Sequence, residues 1–321
     1  MSTSKKSILF GSLGGFFLAS LLAFPAWSQT QNSRPARPGS INYVEGQASV
    51  DGQPLGANSV GTAELQKGQT LTTQTGKVEV LLTPGIFLRI GDNSAIKMIS
   101  PDLANTEVEV DKGEAMVEVA DISKNNNIRI DEGGATAQIL NKGLYDFDAD
   151  HNQIRVFKGK AAVQANSQKV NLGGDRQVTL NTGGKIKSQG FDTKQYADDL
   201  YRWSGLRSGY LAEADADTAR LYVNGGAGWY GEGWYWDPWF SAYTFVPANG
   251  IFYSPFGWGF YSPFAIYGSP FFYGGFYGQP HPFNAFHEPY GHGFEPQGGF
   301  RGGFGGGGIF HGGVFHGGGR R

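Results

Sequence analysis

Residues 77–90 read Lys-Val-Glu-Val-Leu-Leu-Thr-Pro-Gly-Ile-Phe-Leu-Arg-Ile. Val78, Val80 and Leu82 alternate with Lys77 and Glu79, and Ile86 and Leu88 lead to Arg89 and Ile90. Successive side chains leave a strand on opposite faces, so this period of two specifies two half-buried strands. Thr83-Pro84-Gly85 between them suits a tight turn, because Pro presets φ and Gly accepts positive φ. Both strands read as one hairpin.

The same texture extends outward. Val108 and Val110 lie between Glu107, Glu109 and Asp111, and Ala115, Val117 and Val119 flank Glu118. Ile128 and Ile130 bracket Arg129, and Ile154 and Val156 bracket Arg155. Gly91-Asp92-Asn93, Gly133-Gly134, Gly173-Gly174-Asp175 and Gly183-Gly184 separate the runs, leaving no room for crossover helices. Residues 41–190 therefore read as a mainly β domain. A weak repeat runs through it: Glu45-Gly46-Gln47-Ala48, Lys112-Gly113-Glu114-Ala115 and Lys158-Gly159-Lys160-Ala161 each lead into a strand. Small inward residues at equivalent places suit a β-helix or solenoid-like stack of rungs. A β-sandwich or open barrel is the alternative.

From residue 191 the period changes. Asp192 and Gln195 have capping-box spacing. Tyr196, Leu200, Trp203 and Leu206 follow on one helical face, Asp198 and Arg202 pair at i,i+4, and a second helical run is predicted from Tyr210 to Leu221. This helical segment, 191–223, is expected to cap the β stack. Residues 224–321 are dominated by Gly and aromatic residues with few aliphatics, which predicts a disordered tail. Its most unusual feature is the cluster Trp229, Tyr230, Trp234, Tyr235, Trp236 and Trp239. Exposed rings stack readily. These six are the candidate interaction residues, toward polysaccharide, the outer membrane, a protein partner or neighbouring tails.

The N-terminus fixes the address. Lys5 and Lys6 precede an apolar run from Ile8 to Phe24, Pro25 breaks it, and Ala26-Trp27-Ser28 presents small residues for a signal peptidase. A signal peptide over 1–28 is expected, with export to the periplasm or cell envelope and no integral span after cleavage; a retained anchor is the alternative. Residues 29–40, with Pro35 and Pro38, read as a linker.

Composition excludes several classes. The 321 residues contain no Cys, which removes disulfides, thiol nucleophiles and Cys-ligated metals. Net charge is −2 with no basic stripe, so no nucleic-acid partner is expected. Asp146, Asp148 and Asp150 resemble the start of a calcium loop, but His151 and Phe157 stand where that loop needs Gly and Glu. They read instead as outward acids on a strand entering a turn. Five of six histidines (His281, His287, His292, His311, His316) fall in the tail without a preorganised ligand set. Arg301-Gly302-Gly303 is a single RGG and gives no case for RNA. No G-x-S-x-G, H-E-x-x-H or Walker motif occurs. A non-enzymatic protein without cofactor or metal is expected.

One resemblance adds to this. Leu65-x-x-Gly68-Gln69-Thr70-Leu71-Thr72-Thr73 and Val80-Leu81-Leu82-x-x-Gly85-x-x-Leu88-Arg89-Ile90 are followed by Asn93-Ser94 and Lys112-Gly113-Glu114-Ala115. Gly143-Leu144-Tyr145-Asp146-Phe147-Asp148 and Val156-Phe157-Lys158-Gly159 complete the series. As an ordered set over residues 41–186, it resembles the FecR protein family. The resemblance implies a periplasmic β-rich domain, which in the best-known members senses outer-membrane receptor status and controls a sigma factor through a cytoplasmic segment. Only Met1 to Lys6 precede the apolar run, so iron-uptake signalling is not expected to carry over. Two functions are open: an envelope scaffold presenting an aromatic tail, or a periplasmic sensor acting through a separate membrane regulator.

Overall fold

The structure, a computed structural model, describes residues 35–180, 185–223 and 228–268. The expected signal peptide, residues 29–34 of the linker, the five tail histidines and residues 301–303 lie outside the described residues. Among the described residues no helix is long and apolar enough to cross a membrane.

The domain is mainly β, as the alternation predicts. Fifteen strands share one sheet, in the order β13-β12-β9-β8-β6-β5-β3-β4-β7-β10-β11-β14-β15, with β1 and β2 attached to β3. The first wing contains β5 (Ala95–Pro101), β6 (Asn105–Lys112), β8 (Asn127–Glu132), β9 (Ala135–Ile139), β12 (Lys160–Ala165) and β13 (Gln168–Gly173). The second contains β4 (Ile86–Ile90), β7 (Glu114–Val119), β10 (Gly143–Asp148), β11 (Gln153–Lys158), β14 (Arg176–Thr179) and β15 (Gln189–Gly190). The long β3 (Thr70–Leu81) joins them: Thr70–Thr72 pair with β5 and Val78–Leu81 with β4. β1 (Ile41–Val50) follows β3 along most of its length, and β2 (Gln53–Leu55) closes a hairpin with β1. Residues Gly39 and Ser40 of the expected linker are tied to this sheet through Leu65 and Leu81.

Inward residues of both wings form one core. Ile96, Val108, Ile130, Ala137 and Val163 from the first wing join Val80, Leu88, Val117, Phe147 and Val156 from the second. Two layers therefore face each other, and the chain winds between them: β4, then β5–β6, β7, β8–β9, β10–β11, β12–β13, β14–β15. That path is solenoid-like, although every pairing is antiparallel except β6 with β8. β6 and β8 pair in parallel because the strand between them in sequence, β7, lies in the opposite layer.

The sequence repeat marks the corners of this winding. Gly113 alone separates β6 from β7, and Gly159 alone separates β11 from β12. Gly159 has φ +103°, and a Cβ there would lie 2.3 Å from the Tyr145 hydroxyl and 2.7 Å from the Lys142 carbonyl. Tyr145 Oη in turn donates to the Asn141 carbonyl at 2.6 Å and accepts from Lys160 N at 3.1 Å. Only glycine fits such a turn without strain.

The outer faces of the two layers differ. The first wing presents polar groups such as Glu107, Glu109, Arg129 and Gln138 to solvent. The second is buried on both sides. Its outer cover is α1 (Asp199–Leu221) together with β16 (Gly233–Asp237), β17 (Ala242–Val246), β18 (Ile251–Tyr253) and β19 (Gly259–Tyr261). Phe87 and Leu81 on this face pack with Leu211, Trp234, Phe245 and Phe260. Met116, Leu144 and Phe157 pack with Leu200, bordered by Phe191, Tyr196 and Tyr201.

Three expectations are corrected here. The helix starts after Asp198, whose carboxylate caps it by accepting from Tyr201 N at 2.8 Å, and not at Asp192. It runs unbroken through Gly209, where the sequence predicts a break, and Leu206 points largely to solvent. The reason lies in close packing: a Cβ at Gly205 would stand 3.2 Å from Phe256, and one at Gly209 3.0 Å from Trp258. Third, residues 228–268 of the expected disordered tail form the hairpins β16–β17 and β18–β19. Aromatic rings replace aliphatics there, each able to bury about 150–250 Å², and they pack on a ready-made sheet face instead of on one another alone.

A buried ionic chain ties helix to sheet. Arg89 Nε donates to Glu79 at 2.8 Å, and its Nη1 donates to Glu118. From α1, Arg207 Nη2 donates to Glu79 at 2.9 Å and Ser208 Oγ to Glu118 at 2.7 Å. Asn42 Nδ2 donates to Glu79 at 2.8 Å and to the Tyr243 carbonyl at 3.0 Å, while its Oδ1 accepts from Tyr243 N at 2.7 Å. Burial raises the Glu79 pKa, but Arg207 and Arg89 outweigh it and hold the carboxyl below its usual value. For Glu118 burial prevails over Arg89 and Ser208, and the pKa is raised.

Three outcomes follow from this architecture. Gly159→Ala should destabilise the domain by at least about 1–2 kcal/mol from backbone strain alone, read from the urea midpoint. Arg89→Met should cost about 3–5 kcal/mol, because it strands buried carboxylates without their shared partner. A chain ending at Val223 should melt well below one ending at Gly268 in a calorimetric scan, since the outer face around Phe87 loses its cover; equal melting temperatures would contradict the packing.

Candidate functional site

Where the turn from β4 to β5, the start of β7, the turn from β10 to β11 and the approach to α1 converge, a surface cleft of about 600 Å³ opens. Asp92, Glu114, Asp148, Asp150, His151, Arg155, Tyr196 and Asp198 lie around it. Alternation explains their arrival: Glu114, Asp148 and Arg155 are outward positions of adjacent strands in the second layer, with Glu114 opposite Asp148. Asp198 arrives as the cap of α1.

Arg155 organises the floor. Its Nη1 donates to Asp146 at 2.6 Å and its Nη2 to Asp148 at 3.0 Å, and its guanidinium lies 4.2 Å from the centre of the Tyr196 ring. Arg155 is almost fully buried, which strengthens these contacts relative to surface pairs. Burial raises the Arg155 pKa less than its acids do: desolvation pulls it down, and Asp146 and Asp148 carry it above the usual value. His151 Nδ1 lies 2.8 Å from Asp148, and Asp150 accepts from Gly113 N at 3.0 Å. Asp92 accepts from Gly76 N at 2.6 Å and pairs with Lys77 at 3.3 Å. The cleft is thus acidic in excess.

Asp146, Asp148 and Asp150, the calcium-like run, are divided among these tasks and do not converge on one point. Among the described residues no set of three or more His, Cys, Asp or Glu side chains is arranged to hold a metal ion. What the cleft can do chemically is hold protons or receive a cationic group.

The six aromatic candidates separate. Trp234 and Tyr235 are buried; Trp234 meets Phe87 edge-on at 5.1 Å, and Tyr235 Oη donates to the Gly231 carbonyl at 2.7 Å. Trp229 stacks on Tyr235 at 5.3 Å, and Trp236 packs edge-on against Tyr243 at 5.1 Å. Tyr230 also stacks on Tyr235, at 4.4 Å, yet keeps 68% of its surface exposed. Trp239 is 86% exposed at the tip of the β16–β17 hairpin. The structure therefore corrects the expectation of one exposed aromatic cluster: Trp234 and Tyr235 are mortar, Trp229 and Trp236 are half-covered, and Tyr230 and Trp239 face outward. Exposed rings that sequence reasoning did not single out are Tyr253, Trp258, Phe264 and Tyr267.

Sequence reasoning also missed Arg155, Glu114 and Tyr196 as a group. The available signal was the mixed outer face of β7, β10 and β11, where Met116, Leu144 and Phe157 stand beside Glu118, Asp146 and Arg155. A solvated face would not carry those apolar residues.

Comparison with known proteins places this geometry. Two crystal structures of a candidate anti-sigma factor from Parabacteroides distasonis ATCC 8503 are similar, with a TM-score of 0.35 each and identities of 17% and 18%. Each match covers 40% of this chain and 62% of the other, so the likeness spans less than two-thirds of those proteins. No curated protein matches the sequence. The family model described as FecR protein matches residues 69–163, from the residue before β3 into β12, leaving α1 and the aromatic hairpins outside. Residues 69–163 of this chain are a FecR domain.

Proposed function

We propose that this protein is a non-enzymatic, exported regulatory module that recognises a separate membrane-bound partner. The observation that carries the proposal is the FecR match across the two-layer core. FecR-like and anti-sigma-like proteins are regulatory by description, and the listed likeness to a candidate anti-sigma factor is consistent with that class. The signal-like segment 1–28 supplies the route of export, and the absence of Cys agrees with a fold that needs no disulfide to persist there.

The burial of Trp234 and Tyr235 shifts the balance between scaffold and sensor, because rings consumed in covering the second layer cannot also grip an external matrix. The scaffold reading keeps one observation in its favour: Trp239, Tyr253 and Phe264 remain largely exposed on the C-terminal hairpins and just after them.

Affinity capture from detergent-solubilised envelopes separates the two. The full chain should retain an integral membrane regulator, and a Trp239→Ala, Tyr253→Ala, Phe264→Ala variant should retain it equally. Loss of all envelope association in that variant, with glycan or outer-membrane material as the only retained partner of the parent, would reject the regulatory reading in favour of the scaffold.

A further inference from the structure

Around Arg155 the carboxyl groups outnumber their partners. Asp146 and Asp148 each use one oxygen on the guanidinium. Asp146 is 1% exposed and its second oxygen, Oδ1, has no hydrogen-bond partner. Glu132 at the end of β8 is also 1% exposed, and both of its carboxyl oxygens are unpartnered. Glu114 has no basic partner either. It faces Asp146 and Asp148 on β10, Asp150 and His151 in the following turn, Arg155 on β11, Asp92 before β5, and Asp198 at the head of α1. Nearby Lys77 is engaged by Asp92 and Asp199, at 3.3 and 2.8 Å.

A buried carboxylate without compensation is costly, and the cheaper state is the neutral acid. Asp198 favours the charged form because it caps a helix, whose N-terminus attracts negative charge. The proton must then reside on the neighbour. We propose that Glu114, with Asp146 and Glu132 behind it, forms a proton-held latch that seats the first turn of α1 on the second layer, closed in mildly acidic and loosened in alkaline surroundings.

The titration behaviour agrees in sign. Burial, then Asp146 and Asp198, raises the Glu114 pKa far above the usual carboxylate range. Burial, followed by Asp146 and Asp148, pushes Glu132 from 4.5 up to about 9, with Arg155 opposing. For Asp146, burial outweighs Arg155, and its pKa is raised as well. A folded-state pKa above the unfolded value means that the folded state retains a proton the unfolded state has lost. The stabilisation is therefore complete below pH 4.5 and declines as pH rises toward the folded value, about 9 for Glu132. Glu79 acts in the opposite sense, but its pKa lies below 4.5 and leaves this window untouched.

Hydrogen exchange of the full chain, corrected for intrinsic rates, tests the latch on peptides spanning residues 196–204. Their opening constant should rise by up to about tenfold per pH unit for each proton released between pH 6 and pH 9. Glu114→Gln, neutral at every pH, should flatten this dependence and melt above the parent at pH 9. If that variant does not fold, Glu132→Gln should flatten the slope of global melting temperature against pH over the same range. Equal protection of the parent at pH 6 and pH 9, or a parental slope in either variant, would overturn the proposal.

Discussion

The fold depends on covering a sheet that needs cover on both sides. The second layer contributes one face to the core between the wings, and its other face carries both Phe87 and Arg89. A fully buried guanidinium tolerates only a matched environment, and Glu79 and Glu118 supply it from the strands on either side. Those carboxylates in turn need more donors than the sheet can offer. Arg207, Ser208 and Asn42 fill the vacancies, which fixes where α1 lies. Breaking one member of such a chain leaves charge uncompensated, so the helix is held in one position more by specificity than by net attraction.

The same demand explains the aromatic segment. Residues 228–268 have too few aliphatics to fold as an independent unit. They need none, because the sheet already presents Leu81 and Phe87, and α1 presents Leu211 and two glycines against which Phe256 and Trp258 lie flat. Glycine within a helix costs about 0.5–1 kcal/mol relative to Ala. Here it permits contact distances that a methyl group would block.

The β core was legible from residues 77–90 outward because strand alternation is a local property. The corner glycines were legible too, as a repeat, since each turn between layers imposes the same backbone demand. What escaped was non-local. Glu79, Arg89 and Glu118 look like solvated positions when read along their own strands, and only α1, more than a hundred residues later, turns them into a buried chain. The cleft shares that origin: Asp198 and Tyr196 are unremarkable before a helix until the outward acids of β7 and β10 meet them. Rings such as Trp234 read as sticky because sequence shows hydrophobicity but not the face that absorbs it.

Asn42 and Tyr243 join positions 201 residues apart through a pair of reciprocal hydrogen bonds. The seam that seals the outer face is therefore made from the two extremes of the folded region. During synthesis or translocation the sheet can wind up rung by rung, while Phe87 and the Arg89 chain stay open to water until the last hairpin arrives. Non-local closure of this kind comes late and leaves an interval in which sticky, half-finished surface is on display. A chain with this layout has most to gain from a holding chaperone at its final step.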